Sequence, residues 1–415
     1  MDLLINHNEP TTMHIDLNSC FATIEQQANP LLRGKPIAVA AYTSPNGCVL
    51  APSYEAKSFG VKTGMTVRDA KLLCKEIIIL APDPPKYRDV HLKFKNLFKD
   101  YSPLVTPKSI DEAVIDFSGT QALKRGLVEI GKEIKYRMKK EIGEWLLCNV
   151  GIGTNRFLAK LAASLHKPDG LDKITHGNLK EIYASRTLKD LCGINTRYEA
   201  RLNTAGIFTP LDFLNAPLQK LKMQVFQSIN GYYWYLRLRG WEIDAVDFSR
   251  KSYGQSYALK NHTDNKEELS KLLMKLVEKM GRRMRGAGYS AHGIHVSCLY
   301  VDNTHWHQST LVHSPMYSSY DLFLKAQLVL NRQPVWKKVS NLAVSCYELV
   351  KDNSDQLELF GSGEQKRKQL SRALDKINDR YGEYVITPAL MMGMDDTILD
   401  RVSFGGVKEL EDLYR

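Results

Sequence analysis

The segment SIDEAVID, residues 109–116, sets two acids side by side, Asp111 and Glu112, in a run that otherwise reads as an apolar strand. A third acid, Asp16, lies in MHIDL (13–17), which alternates around Ile15. A lone carboxylate costs several kcal/mol to bury, so apolar strands seldom carry one without a partner. Successive strand residues point to opposite faces. Asp111 and Glu112 therefore reach one site only if a tight hairpin turn or a bulge intervenes. Any one of the three is as easily a surface carboxylate at a strand end. Together they suggest a divalent-metal site, because hard cations such as Mg²⁺ take a few carboxylates and substrate phosphate oxygens. Two such ions about 4 Å apart can serve an in-line phosphoryl displacement.

Around these acids the first ~170 residues alternate short apolar runs with helical stretches. IAVA (37–40) and CVLA (48–51) are separated by the turn signal SPNG, and EIIIL (76–80) is closed by PDPP. CNVGIG (148–153) reads as a strand leading into a helix capped by Thr154 or Asn155. This order predicts an α+β domain. From about 176 to 240 the pattern is helical, with Gly-Ile steps at 193–194 and 206–207. WEIDAVDFSRKS (241–252) has no helical stripe and reads as a linker. A helix at about 265–287, a strand at 292–301, a helix near 319–331 and a strand at 339–349 then predict a small four-stranded sheet with two helices. A polar hinge KDNSDQ, the segment LELF and a basic helix at about 363–381 follow.

Composition narrows the function classes. Of 415 residues, 57 are Lys or Arg and 46 are Asp or Glu, a net +11 that suits a polyanionic partner such as nucleic acid. No window approaches ~18 consecutive apolar residues, so no membrane span is expected. MDLLINHNEP lacks the basic and apolar regions of a secretion signal. Seven widely spaced cysteines with no CxxC pair argue against a zinc site or a disulfide framework and for a reducing cytoplasm.

Two further constellations carry charge where phosphates could be held. Tyr54 and Lys57 lie three apart on one helix face in YEAKSFGVKTGM. In GIGTNRFLAKLAASLHKPDG (151–170), Arg156 and Lys160 are four apart on a helix that follows a glycine-containing turn. Read one at a time, each is as well explained by a solvated helix face. Residues 250–300 hold ten Lys or Arg and four acids, densest at Arg282, Arg283 and Arg285.

These segments, in this order and spacing, resemble the Y-family translesion DNA polymerases, most closely the bacterial DNA polymerase IV branch. MHIDLNSCFATIEQ is similar to the family's first metal motif and SIDEAVID to its second. YEAKSFGVKTGM is similar to its nucleotide-binding finger segment, and VGIGTNRFLAKLAASLHKPDG to the palm helix that reaches the triphosphate. The resemblance runs on through LCGIN, AGIFT, KSYGQSYAL and QLELF, nearly the whole chain. It implies a multidomain α+β right hand. Palm would be 1–17 and 81–175, fingers 18–80, a helical thumb 176–242, a linker 243–250, an α/β little finger 251–350 and a tail 351–415.

The resemblance also implies roles. Asp16, Asp111 and Glu112 would be catalytic and bind two Mg²⁺ ions, replaceable by Mn²⁺, with the Leu17 backbone carbonyl as a further ligand. Phe21 would be the steric gate that selects deoxynucleotides. Tyr54, Lys57 and Lys160 would hold the triphosphate. Gly193 and Gly206 would belong to a helix-hairpin-helix thumb and, with Arg282, Arg283 and Arg285, contact DNA. Gln356, Leu357, Leu359 and Phe360 would dock in a sliding clamp. Partners would be primer-template DNA, deoxynucleoside triphosphates and the clamp, with no membrane, for a monomer in the bacterial cytoplasm associated with the nucleoid. Lys57 stands where the family commonly has Arg, Ala51 where many members have a hydroxyl, and Asn18 where Asp is frequent. The competing reading is a non-catalytic DNA-bound accessory factor of the same fold. The intact acids Asp16, Asp111 and Glu112 discriminate against it.

Overall fold

In the computed structural model, which describes residues 5–245, 250–352, 364–382, 384–394 and 397–398, the chain divides into two compact units. The first holds the elements up to Leu238 and the second those from Ser252 onward. The expected α+β class is found.

The first unit contains β1 (Thr12–Leu17), β2 (Ile37–Ala40), β3 (Val49–Pro52), β4 (Ile78–Leu80), β5 (Leu104–Pro107), β6 (Glu112–Asp116), β7 (Cys148–Gly153) and β8 (Leu171–Lys173). Five of them form a sheet in the order β5-β6-β1-β7-β8, and β3-β2-β4 form a smaller one. Strand β1 is central and antiparallel to both neighbours. Its alternation sorts the two faces. Met13, Ile15 and Leu17 enter a core with Phe94, Leu97, Phe98, Ile130 and Ile134, which come from helices Pro84–Lys99 and Leu127–Arg137. His14 and Asp16 point the other way.

On that second face the glycines of CNVGIG decide the packing. Gly151 stands directly opposite His14 in the register, so it shares His14's face. A Cβ on Gly151 would lie 2.0 Å from the Ala159 carbonyl oxygen and 2.2 Å from the Ala163 amide nitrogen, and one on Gly153 would lie 2.5 Å from the Ala159 nitrogen. Only bare backbone lets the helix Arg156–Ala162 lie this close to the strand. Asn155 caps that helix by accepting from the Leu158 N–H, which settles the choice between it and Thr154. Gly151→Ala should therefore destabilise the protein by about 3 kcal/mol or more, because backbone cannot give way as a side-chain tip can. Gly177→Ala should be near neutral, since its Cβ would meet nothing closer than 3.6 Å. Thermal unfolding of the two variants checks the contrast.

The rest of the first unit is helical. Helices Leu179–Ala184, Thr196–Thr204, Pro210–Asn215 and Asn230–Leu238 surround a core of Phe213, Phe226 and Trp234. Gly193 and Gly206 flank the helix Thr196–Thr204 with φ of 98° and 71°, the left-handed region that side-chain-bearing residues avoid.

The second unit contains β9 (Ser252–Thr263), β10 (Tyr289–Tyr300), β11 (His305–Met316) and β12 (Val339–Lys351), antiparallel in the order β11-β10-β12-β9. Helices Lys266–Gly286 and Ser319–Leu330 cover one face. A third helix, Glu364–Tyr381, matches the basic helix read from the sequence. The residues after it return to the same unit: Met391, Met394 and Ile398 join its core, and Lys275 and Lys279 donate to the carbonyls of Met394 and Ile398 at 2.5 and 2.8 Å.

This packing corrects one expectation. Arg285 is only 7% exposed, and its guanidinium makes two bonds to Asp375, at 2.6 and 2.8 Å, and one to Ser319 at 3.0 Å. Buried and held by this bidentate pair, the guanidinium is turned into the unit rather than toward a DNA phosphate. Its neighbours are also engaged within the unit: Arg282 donates to Asp379, and Arg283 donates to the Gly254 carbonyl and Gln255.

Candidate active site

The three acids lie at one end of the inner strands β1 and β6 of the five-stranded sheet. Asp16 and Glu112 are directly opposite each other on β1 and β6, which puts both side chains on one face. Asp111 lies one residue earlier, in the turn from β5 to β6. That turn is closed by bonds from the N–H groups of Lys108 and Ser109 to the Glu112 carbonyl at 2.9 and 3.3 Å. The Asp111 carbonyl accepts from the Leu17 N–H at 2.8 Å, tying the turn to the end of β1. The hairpin thus resolves the face problem that adjacent acids pose on a regular strand. The Ser109 hydroxyl donates to the Asp111 carboxylate.

Burial pushes the carboxyls of Asp16 and Asp111 up from their ordinary range. For Asp111 the nearby charges of Asp16 and Glu112 add to this. Burial acts on Glu112 as well, but Lys160, bonded to it at 2.7 Å, outweighs it and holds the carboxyl below its usual value. Lys160 reaches Glu112 because the helix Arg156–Ala162 rides on the glycines of β7. Lys167 donates to Asp16 at 2.8 Å.

His14, two residues before Asp16, shares this face. It is 2% exposed, neither ring nitrogen has a hydrogen-bond partner, and its Nε2 is 3.7 Å from Glu112. Burial pushes its basicity down to about 4, so the ring is neutral at physiological pH. Ligand atoms of His14, Asp16 and Glu112 lie within 4.8 Å of one another. The carboxylate oxygens gathered in this partly buried place are a donor set that fits a hard divalent cation.

A cavity of about 300 Å³ opens on Asp16 and Asp111, lined also by Leu17, Phe21, Lys57 and Lys167 among others. Phe21 is 6% exposed, on the helix Cys20–Ala28, and its ring stacks on Tyr87 with centroids 4.4 Å apart. Tyr87 in turn donates to Glu25 at 2.8 Å, so the Phe21 ring is braced and still faces the cavity. Lys57 donates to the Ser19 hydroxyl at 2.7 Å and sits 4.5 Å from the Tyr54 ring centroid. Burial pushes the Tyr54 phenol up to about 12, so its proton stays available for donation.

Asn18 is 1% exposed, donates to Asn149 at 2.7 Å and accepts from the Asp169 N–H at 2.9 Å. It joins the strand end to the KPDG turn. Sequence reasoning missed Lys167 and His14 as site residues. Lys167 was legible only as part of KPDG, and His14 only as an alternating strand position facing away from the apolar side. The segment holding Gln356, Leu357, Leu359 and Phe360 lies outside the described residues.

Residues 15–164 match the impB/mucB/samB family, and residues 250–359 match the C-terminal domain of that family. A "DNA polymerase IV" of Pelotomaculum thermopropionicum is 36% identical over 383 residues, which is 91% of this chain and 94% of that protein. The chain belongs to the impB/mucB/samB family of Y-family DNA polymerases. "DNA polymerase IV 1" of Bacillus subtilis is 30% identical over 94% of this chain and 95% of its own length. Among solved structures, a chimera described as "Y-family DNA polymerase chimera Dbh-Dpo4(243-245)-Dbh" shares the fold, with a TM-score of 0.72 and 23% identity over 82% of this chain and 99% of that one. Among the described residues, no helix of this polymerase is long and apolar enough to cross a membrane.

Proposed function

We propose that this DNA-directed DNA polymerase extends primers across damaged templates with the Asp16/Asp111/Glu112 site as its catalytic centre. The observation that carries the reading is the register pairing of Asp16 with Glu112, with Asp111 in the adjoining turn, above a cavity shared with Phe21 and Lys57. Asp16, Asp111, Glu112 and the Leu17 carbonyl would hold two Mg²⁺ ions, with Mn²⁺ as a substitute. Bound there, the ions would make the primer 3′-hydroxyl a better nucleophile and neutralise charge on the triphosphate.

The chain's own groups do the rest. Lys57, Lys160 and Lys167 supply ammonium groups to the phosphates, and Tyr54 supplies a hydroxyl. Lys57 is a point charge rather than a planar fork, so its hold is less directional than an arginine's. The packed Phe21 ring fills the space a 2′-hydroxyl would need. The palm, fingers, thumb and little-finger boundaries given above describe the division of labour. The backbone turns at Gly193 and Gly206 would meet DNA phosphates without reading sequence. We propose a monomer working in the bacterial cytoplasm at the nucleoid, where its DNA substrate would lie. Primer extension on a single template with Mg²⁺ tests the reading. Template-directed addition supports it, and DNA binding without extension would favour the accessory-factor alternative.

QLELF is proposed as the clamp-docking peptide, on its apolar anchors flanked by polar residues. A short peptide buries little area, so affinity should be roughly micromolar, and its effect comes from tethering. Changing Leu359 and Phe360 to Ala should leave single-nucleotide insertion intact without the clamp. It should remove the gain in product length per binding event when the clamp is loaded. A double variant that still responds fully would place the contact elsewhere.

A further inference from the structure

The four-stranded sheet of the second unit has one face covered by helices and one open face, and the open face carries a row of histidines. On β11, His305, His307, Ser309 and Leu311 are exposed, alternating with half-buried Trp306, Gln308 and Thr310. Trp306 packs on the core, so His305 and His307 point away from it. On β10, Ser297 stands directly opposite His307, and His295 is two residues along, between the buried Ile294 and Val296. His295 is therefore the diagonal neighbour of His307 on the open face, and the two rings meet with His295 Nε2 3.4 Å from His307 Nδ1.

That separation is long for a hydrogen bond between two nitrogens. It is close to the separation of two ligands on one metal ion: metal–nitrogen bonds of about 2.0–2.1 Å place the two nitrogens about 3.4 Å apart at a tetrahedral angle and about 2.9 Å apart at the right angle of a square-planar or octahedral ion. The neighbours suit a neutral imidazole pair. His295 stands across from Ser309 on one side and Ser345 on the other, and Ser297 and Ala343 follow in the next rank, so the rings are bordered by small side chains. The His305 ring lies parallel to that of His307 with centroids 6.0 Å apart, on the same face of β11. Burial, and then the charge of the other ring, hold His295 below its ordinary pKa, which keeps a ring nitrogen free to ligate at neutral pH.

We propose that His295 and His307, with His305 as a third donor and water completing the shell, form a site for one divalent transition-metal ion of the imidazole-preferring class, such as Zn²⁺, Ni²⁺ or Cu²⁺. Nitrogen donors select against Mg²⁺ and Ca²⁺, so this site and the oxygen-rich acid cluster take different ions. It rests on no assumption about polymerase chemistry.

The test uses the full chain with the exposed Cys192 thiol capped and with millimolar Mg²⁺ present to occupy carboxylates. Ni²⁺ is titrated by calorimetry and its visible absorption followed. One ion per chain should bind, with the band positions of nitrogen ligation. His307→Gln should weaken binding at least about tenfold, the His295→Gln/His307→Gln pair should abolish it, and His305→Gln should weaken it less. Each change is on the open face, so unfolding temperatures without Ni²⁺ should stay close to that of the parent. The proposal is overturned if the parent binds no Ni²⁺ in excess Mg²⁺, or if the double variant binds as the parent does, which would assign the ion to thiols or acids. A loss confined to His305→Gln would overturn the assigned pair.

Discussion

Asp111→Ala and Glu112→Ala should each lower nucleotide addition by at least about three orders of magnitude, a barrier increase of about 4 kcal/mol. The loss is large because Glu112 offers an oxygen within 4.8 Å of one from Asp16, and Asp111 lines the same cavity as Asp16 and feels the charge of both acids. DNA binding at low salt should persist, since affinity for the phosphate backbone comes from a net charge of +11 spread over the chain. Stability separates chemistry from damage. Asp111 is held near two other acids that push its carboxyl up, so Asp111→Asn should unfold at the same temperature or higher while losing activity. Glu112→Ala should not share that gain, because it strands the Lys160 ammonium that now pairs with it at 2.7 Å. Extension at near parental rate by either alanine variant would sink the assignment.

Phe21→Ala should admit ribonucleotides at least about a hundredfold more readily relative to deoxynucleotides, as expected when a steric clash is the discriminating element. The ring is also structural, stacked on Tyr87 at 4.4 Å, so truncation should cost about 3 kcal/mol of stability. Phe21→Leu keeps most of the core volume and should fall between the two in discrimination with a smaller cost. The measurement is the ratio of kcat/KM for a ribonucleotide and its deoxy counterpart. An unchanged ratio in a folded Phe21→Ala protein would leave the residue as core alone.

Strands were legible where apolar runs were bounded by turn chemistry. MHIDL, IAVA and CNVGIG all became strands within a residue of their expected limits, and the need for a turn beside Asp111 followed from the period of a strand alone. What the sequence could not show was contact between segments far apart in the chain. The run Arg282-Arg283-Met284-Arg285 reads as a solvated basic face, yet its partners Asp375 and Asp379 arrive from a helix about ninety residues later. His14 looked like an ordinary alternating position until the register put it beside Glu112. Lys167 follows a helix end, and no periodicity links it to an acid 151 residues away. The apolar ALMMGM had no evident core to join, because that core is built from residues about 45 to 140 positions earlier.

The return of Met391, Met394 and Ile398 to the second unit bears on the order in which the chain matures. Protein emerges from the ribosome N-terminus first, at about 5–20 residues per second, and domains tend to fold as they appear. The sheet and helices of the first unit have all their described core residues by Leu238, so that unit has its material early in synthesis. The second is not complete until Met394 and Ile398 bring the carbonyls to which Lys275 and Lys279 donate. Truncating the chain after Phe360 would therefore do more than remove the flank of the proposed docking peptide. It would strip Met391, Met394 and Ile398 from the core of the second unit, and loss of soluble product should precede any effect on the proposed docking. For this reason substitution, not deletion, is the way to separate tethering from folding in this protein.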